Sequence, residues 1–442
     1  MTEPSHRRRW MLQMQQPVPP ATVFDRVAFL IGAASAVWLA SIIAIQGVRT
    51  PWALIWFIPI WAITAYLVLP RLHRLLSDLY VPDYFFGRTR TSDGLLGDPV
   101  NLGVDGSAEQ LDAAMASAGW HHADPITAGS TWRIITSTLT RRSYPTAPVS
   151  SLMLFGRRHD VAFQQEVEGN PKQRHHVRFW HCPPGWLLPG GARVDWLGAA
   201  TYDTDVRLSL FTLQVTHRID ENTDIERDHV VETVSAGDPA VQVRMLRDFT
   251  TGYHARNGGG DRFVTDGNLP ILEVNEVLPP ALPPESSTAE PATAPALLRV
   301  PLTVSAAVAL IALVALLQLI DVFADREFWS NFVDADDIAV TAVLLVVVGI
   351  FVLFTVGPLV MSLFVLRRGR RSRAVLIALI TVEIVVMAID YLNGSTVLGL
   401  DWTLLAASVQ CISLLCLSSE SAGAWVRRRT PENQPLASKI AE

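Results

Sequence analysis

Three runs near the middle of the chain hold most of the side chains able to do chemistry: RHHVRFWH (174–181), DWLGAATYD (195–203) and QVTHRID (214–220), followed by NTDIERDHVVETV (222–234). An extended RHHVRFWH puts Arg174, His176, Arg178 and Trp180 on one face and His175, Val177, Phe179 and His181 on the other, because strand side chains alternate. Arg174 and Arg178, with Arg157 and Arg158 upstream, present planar paired donors suited to a carboxylate or phosphate. On a solvated sheet face the same guanidinium groups would pair with nearby acids. His217 shares a face with Val215 and Ile219, the position of a core histidine or of a ligand or base whose proton affinity is set by burial. His217, Asp220 and His176 form the candidate acid–base set; Trp180 and Asp203 complete the candidate ligand contacts. Gly198, near Asp203, either permits close approach of a ligand or backbone or marks a bulge.

His176, His217, Asp220 and Asp224 also offer mixed imidazole and carboxylate ligands for a divalent metal, the one cofactor these residues suggest. The competing reading is local. TDIE (223–226) matches a capping box in which Glu226 satisfies backbone donors, Asp224 and Asp228 favour the positive helix end, and Arg227 pairs with Asp224. Gly258–Gly260 lacks the preceding strand and following helix of a phosphate loop and reads as a flexible turn.

The elements around these runs point to a membrane. Half of the 442 residues are apolar, which favours spans over a larger globular core. The three cysteines, Cys182, Cys411 and Cys416, form neither a disulfide framework nor a zinc motif. Long apolar runs at 27–48, 52–69, 297–320, 338–366, 374–392 and 402–417 predict six transmembrane helices. Arg7–Arg9, the Arg71/Arg74 pair, RRGRRSR (367–373) and Arg427–Arg429 all fall on one side of that arrangement. The positive-inside rule therefore expects a bacterial inner (plasma) membrane protein with cytoplasmic tails at 1–26 and 419–442 and a cytoplasmic domain at 80–277. Glu383, mid-span, is costly in hydrocarbon and should face other helices, with Gln410 a candidate partner.

Residues 80–296 carry 18 Lys and Arg against 27 Asp and Glu. That acidic balance argues against nucleic-acid binding. Residues 278–296, rich in Pro, Ala, Ser and Thr, read as a linker. Within the domain, DPVNLGV (98–104) predicts a strand and Ser107 caps a helix that ends at Gly119. A second helix is expected over 130–140, and strands at 152–155, 161–167, the three opening runs, 241–246 and 262–264. The whole predicts an α-helical membrane protein with six transmembrane helices and an inserted cytoplasmic α+β domain, helices packed on one face of an antiparallel sheet.

DPVNLG (98–103), AGW (118–120), FGRRHDVAFQ (155–164), RHHVRFW (174–180), WLGAATYD (196–203) and THRIDENTDIERD (216–228) occur in that order. Over roughly 98–231 the chain resembles the LssY C-terminal domain of bacterial membrane proteins. The resemblance implies a domain of uncharacterised biochemistry, joined in some members to DedA-like or phosphatidic-acid-phosphatase-like membrane regions. The spans here carry no phosphatase signature, so lipid phosphatase activity does not transfer. Taken together, the residues lead to the expectation of a bilayer-anchored domain that binds an anionic lipid headgroup or phosphorylated small molecule. A hydrolase of phosphorylated lipid or envelope precursors and a transport or export component using Glu383 are the alternatives.

Overall fold

A computed structural model of the protein describes residues 21–49, 53–81, 84–124, 146, 148–167, 173–209, 211–279, 300–324, 338–395 and 402–427. The helix expected over 130–140 and most of the 278–296 linker lie outside the described residues. Contacts divide the chain into two compact units, one built on Leu72–Thr288, the other on Val18–Arg71 with Ala289–Glu442.

The chain enters through α1 (Val23–Arg49) and α2 (Ala53–Ile63), which runs through a π-helical turn (Thr64–Val68) into α3 (Leu69–Tyr80). The expected span at 52–69 is thus a helix with Pro59 inside it and a change of hydrogen-bond register before Leu69. Such π turns insert one residue into the i→i−4 ladder.

The α+β unit begins with β1 (Arg88–Thr91), β2 (Leu96–Pro99) and β3 (Leu102–Asp105), then α4 (Ala108–Ser117) and β4 (His121–His122). Next come β5 (Leu152–Leu154), β6 (Arg157–Arg158), β7 (Val161–Glu166), β8 (Arg174–His181), β9 (Trp196–Leu208) and β10 (Val215–Ile219). α5 (Thr223–Gly237) is followed by β11 (Gln242–Leu246), β12 (Tyr253–Arg256), β13 (Arg262–Thr265) and β14 (Leu269–Glu273). The main sheet has the order β11-β14-β3-β9-β8-β7-β4, with β10 paired to β9; a smaller sheet has the order β2-β1-β5-β6.

Two expectations change. The strand predicted at 98–104 is two strands in two sheets. Asn101 makes the step between them: its Nδ2 donates to the carbonyls of Ala200 and Thr223, and its Oδ1 accepts from Ala200 N. The main sheet is also mixed, because β14 runs parallel to β3.

The helices cover one face of this sheet. Leu111, Ala114 and Met115 of α4 and Val230 and Val234 of α5 pack on Phe163, Val177, Phe179 and Trp196. The other face meets the small sheet, where Leu152 and Leu154 join Trp180, Leu197, Ala199 and Ile271. Burying each such aliphatic or aromatic side chain contributes roughly 1.5–3 kcal/mol. Gly198 belongs to this packing, since a Cβ there would lie 2.8 Å from the Phe179 ring. Its small size admits a core aromatic ring and not a ligand.

The other unit continues with α6 (Leu302–Ala324), α7 (Ile338–Leu366), α8 (Arg370–Leu392), α9 (Trp402–Leu417) and α10 (Glu420–Arg427). Among the described residues, four helical segments are long and apolar enough to cross a membrane: Val23–Val48, Leu302–Ile320, Thr341–Leu366 and Arg370–Leu392. Thr403–Leu417 and Glu420–Arg427, bent by 52°, make a fifth if the pair is one span. Asp25 of α1 accepts from Arg373 Nη1 at 2.6 Å and also pairs with Arg427. Close by in the same unit, Arg71 donates to the carbonyls of Phe29 and Leu415.

Candidate functional site

Strand register builds the site. Arg174 lies opposite Asp203, His176 opposite Thr201 and Arg178 opposite Ala199, so alternation turns all of these toward the face that carries the small sheet. β10 adds His217, just before a register shift between Arg218 and Ile219. Arg174, His176, Arg178, Asp203 and His217 line a cavity of about 270 Å³, with Asp98 of β2, Ser150 and the Asn257–Gly259 turn on its other walls.

Arg174 Nη2 donates to His217 Nε2 at 3.1 Å and to Asp203 Oδ2 at 3.4 Å. Because a guanidinium only donates, His217 Nε2 must be the acceptor, which leaves the His217 proton on Nδ1, 3.5 Å from Asp203 Oδ2. His176 places Nδ1 at 3.5 Å from the same oxygen and Nε2 at 2.8 Å from the Thr201 hydroxyl. Arg178 donates through Nε and Nη2 to the carbonyl and hydroxyl of Ser150, and its Nη1 stands 3.5 Å from Asp98. Asn257 Nδ2 reaches the other oxygen of Asp98 at 3.3 Å.

Burial lowers the proton affinity of His176 well below the ordinary histidine value, and Arg178 and Arg174 lower it further. Burial lowers His217 too, with Asp203 opposing the shift. Both rings are therefore neutral at pH 7. Burial raises Asp203, while His217, Arg174 and Arg178 pull it back. Five buried polar atoms of the cavity residues have no hydrogen-bond partner: Thr91 Oγ1, Arg174 Nε, His176 Nδ1, Arg178 Nη1 and His217 Nδ1. Every one is able to donate, and none is a carboxylate oxygen.

The remaining candidate residues go elsewhere. Arg157 pairs with Asp160 and the His181 carbonyl, and Arg158 is exposed on β6, so neither lines this cavity. Trp180 is a fully buried core residue. Asp220 Oδ1 accepts from Asn222 N, and Asp224 accepts from Thr265 Oγ1 and Asp266 N. The proposed metal set is therefore not assembled, and no group of three or more His, Cys, Asp or Glu among the described residues is arranged to hold a metal. Spacing along α5 and β10 aligned these acids in sequence, but the Asn222 N–H of its own turn claims Asp220, and the Thr265 hydroxyl and Asp266 N–H claim Asp224. Asp98, Ser150, Asn257 and the glycine turn were missed as site residues. Only Asp98 stood in a motif that could have found it; the rest come from loops with no local signature.

The capping box also resolves differently. Asn222 caps α5 through Asp224 N, while Glu226 is buried and its Oε2 lies 2.6 Å from His175 Nδ1 on the helix-covered face. The His175 ring stacks on His229 with centroids 4.0 Å apart. Burial, then the like charges of Asp203 and Asp220, push Glu226 up to about 9 from 4.5, so it is protonated at neutral pH and donates to His175. A carboxyl with a raised folded-state value contributes stability that is fully present below about 4.5 and lost as pH rises through about 9. Glu226→Gln should remove this component: the wild type loses stability relative to the variant between pH 5 and 9. Parallel thermal melts check this, and parallel pH profiles would contradict it.

In the helical unit, Gln410 Nε2 donates to Glu383 Oε2 at 2.6 Å. Both residues line a void of about 20 Å³ with Gln318, Thr355 and Ser413, large enough for one water.

The family model described as LssY C-terminus matches residues 79–269. That range takes in Asp98, Ser150 and Asn257 along with the β8–β10 residues. No curated protein and no solved structure matches the chain.

Proposed function

We propose that the LssY C-terminus domain of this chain, residues 79–269, binds a phosphate-type anion in the cavity between β8, β9, β10 and the small sheet. The observation that carries this reading is the set of buried donors around that cavity that make no hydrogen bond, three of them held only at 3.5 Å from a carboxylate. An unmade buried hydrogen bond costs about 1–3 kcal/mol, so a ligand rich in acceptors gains what the empty site forgoes. Arg174 and Arg178 supply charge-assisted donors. Asp203 and Asp98 hold the guanidinium groups in place and balance their charge, and neutral His176 and His217 can take up a proton as the anion enters.

The full chain is an inner-membrane protein with six spans and its termini and α+β domain in the cytoplasm. The gathering of Asp25, Arg373 and Arg427, with Arg71 nearby, supports a common side for the basic segments. The test is calorimetric titration of the full-length detergent-purified protein with inorganic phosphate. Arg174→Ala is expected to weaken binding by about tenfold or more. No heat from the wild type, or equal affinity in the variant, overturns the assignment.

A second reading, hydrolysis of a phosphomonoester, draws on His217. Its side chain is 36% exposed and it lies 3.5 Å from Asp203, an arrangement open to acid–base work. Release of inorganic phosphate from a phosphomonoester probe tests it; a full absence of turnover with intact binding removes it.

A further inference from the structure

Helix α3 leads into the α+β unit and braces the cavity rim with one of its faces. The His73 ring stacks on Phe211 with centroids 5.2 Å apart. Arg74 Nη1 reaches the Ser92 carbonyl at 3.5 Å, and a Cβ on Gly94 would lie 3.0 Å from Ser77. Ser92, Asp93, Thr212 and Gln214, from the two turns that meet α3, line the cavity.

A neighbouring face of the same helix is bare and apolar. Leu72, Leu76, Leu79 and Tyr80 are 46%, 44%, 72% and 77% exposed, and their spacing of four, three and one puts them on one stripe. Arg74 and Asp78 occupy the remaining arc, which makes α3 amphipathic. In the chain α3 follows, after the π-helical turn Thr64–Val68, on α2, whose eleven residues ALIWFIPIWAI carry no charge. A charge-bearing amphipathic turn at the end of an uncharged apolar helix is the pattern of a segment lying in the membrane interface, with arginine stems reaching toward headgroups.

We propose that the bare stripe of α3 is seated in the bilayer interface, and that the natural ligand of the cavity is a membrane-borne anionic amphiphile. Its phosphate-bearing headgroup enters between the β1–β2 and β9–β10 turns while its chains stay in the bilayer beside Leu72, Leu76 and Leu79. This rests on the anion-binding reading above and adds the source of the anion. The occupant follows from the place of α3 directly after an uncharged apolar helix in the chain and from the donors waiting in the cavity.

The test compares two probes on the full-length protein: inorganic phosphate in detergent, and phosphatidic acid carried in phosphatidylcholine nanodiscs holding the protein. The triple variant Leu72→Ser, Leu76→Ser, Leu79→Ser is expected to bind inorganic phosphate as the wild type does and phosphatidic acid about tenfold more weakly. Arg174→Ala should lose both. Should the triple variant also lose phosphate binding, the single variant Leu79→Ser, at the most exposed of the three leucines, replaces it with the same expected direction. A change below about threefold in phosphatidic acid affinity overturns the inference, as does a wild type that binds phosphate but not phosphatidic acid. A wild type that binds neither overturns the anion reading itself.

Discussion

Asp203→Ala should lower the stability of the α+β unit by about 3–5 kcal/mol, the usual cost of leaving a buried partner charge uncompensated. Asp203 is only 3% exposed and stands among Arg174, His176 and His217. Arg174 is itself 6% exposed, so removal of the carboxylate strands a guanidinium away from water. The same removal opens room for an external anion, and inorganic phosphate should restore part of the lost stability in the variant beyond its effect on the wild type. Thermal and denaturant unfolding with and without phosphate measure both effects. A loss below about 1 kcal/mol would mean that Arg174 reaches solvent or another acid. A normal loss without phosphate rescue would count against the anion site.

Asp25→Ala should cost the helical unit a similar 3–5 kcal/mol. Asp25 receives Arg373, Arg427 and both the backbone N–H and hydroxyl of Thr22. Arg373 is 2% exposed, and its Nε also caps the Leu417 carbonyl. Without Asp25, two guanidinium groups from distant parts of the chain face each other unneutralised. A double variant that adds Arg373→Met should recover part of the loss, because it removes one of the stranded charges. Unfolding midpoints of the detergent-purified protein provide the comparison; additive penalties in the double variant would show that the pair is not coupled.

The candidate site was half legible. Alternation in RHHVRFWH correctly separated Arg174, His176 and Arg178 from His175 and Val177, because a strand turns successive side chains to opposite faces whatever surrounds it. The same rule could not say what would lie above either face. That depended on a small sheet arriving from β1, β2, β5 and β6, which brings Asp98 and Ser150 over the guanidinium groups. Glu226 shows the limit of local motifs. TDIE has the residues of a capping box, but Asn222 takes the cap and His175, 51 positions away, takes the glutamate.

Periodicity, apolar run length and charge are properties of neighbouring residues, and by themselves they determined several membrane-length apolar helices, the Ser107-capped helix and the strand faces; the amphipathic character of α3 emerged only with the structure. Convergence is a property of register and sheet order. Only the tertiary structure decided that His217 joins Asp203 while Asp220 and Asp224 turn away. It also decided that Arg157 leaves the cavity, that β14 pairs parallel to β3, and that one aspartate in the first helix gathers arginines from α8 and α10. Long-range pairing makes each of those choices, since a buried donor or acceptor is held by whichever partner the fold brings within reach.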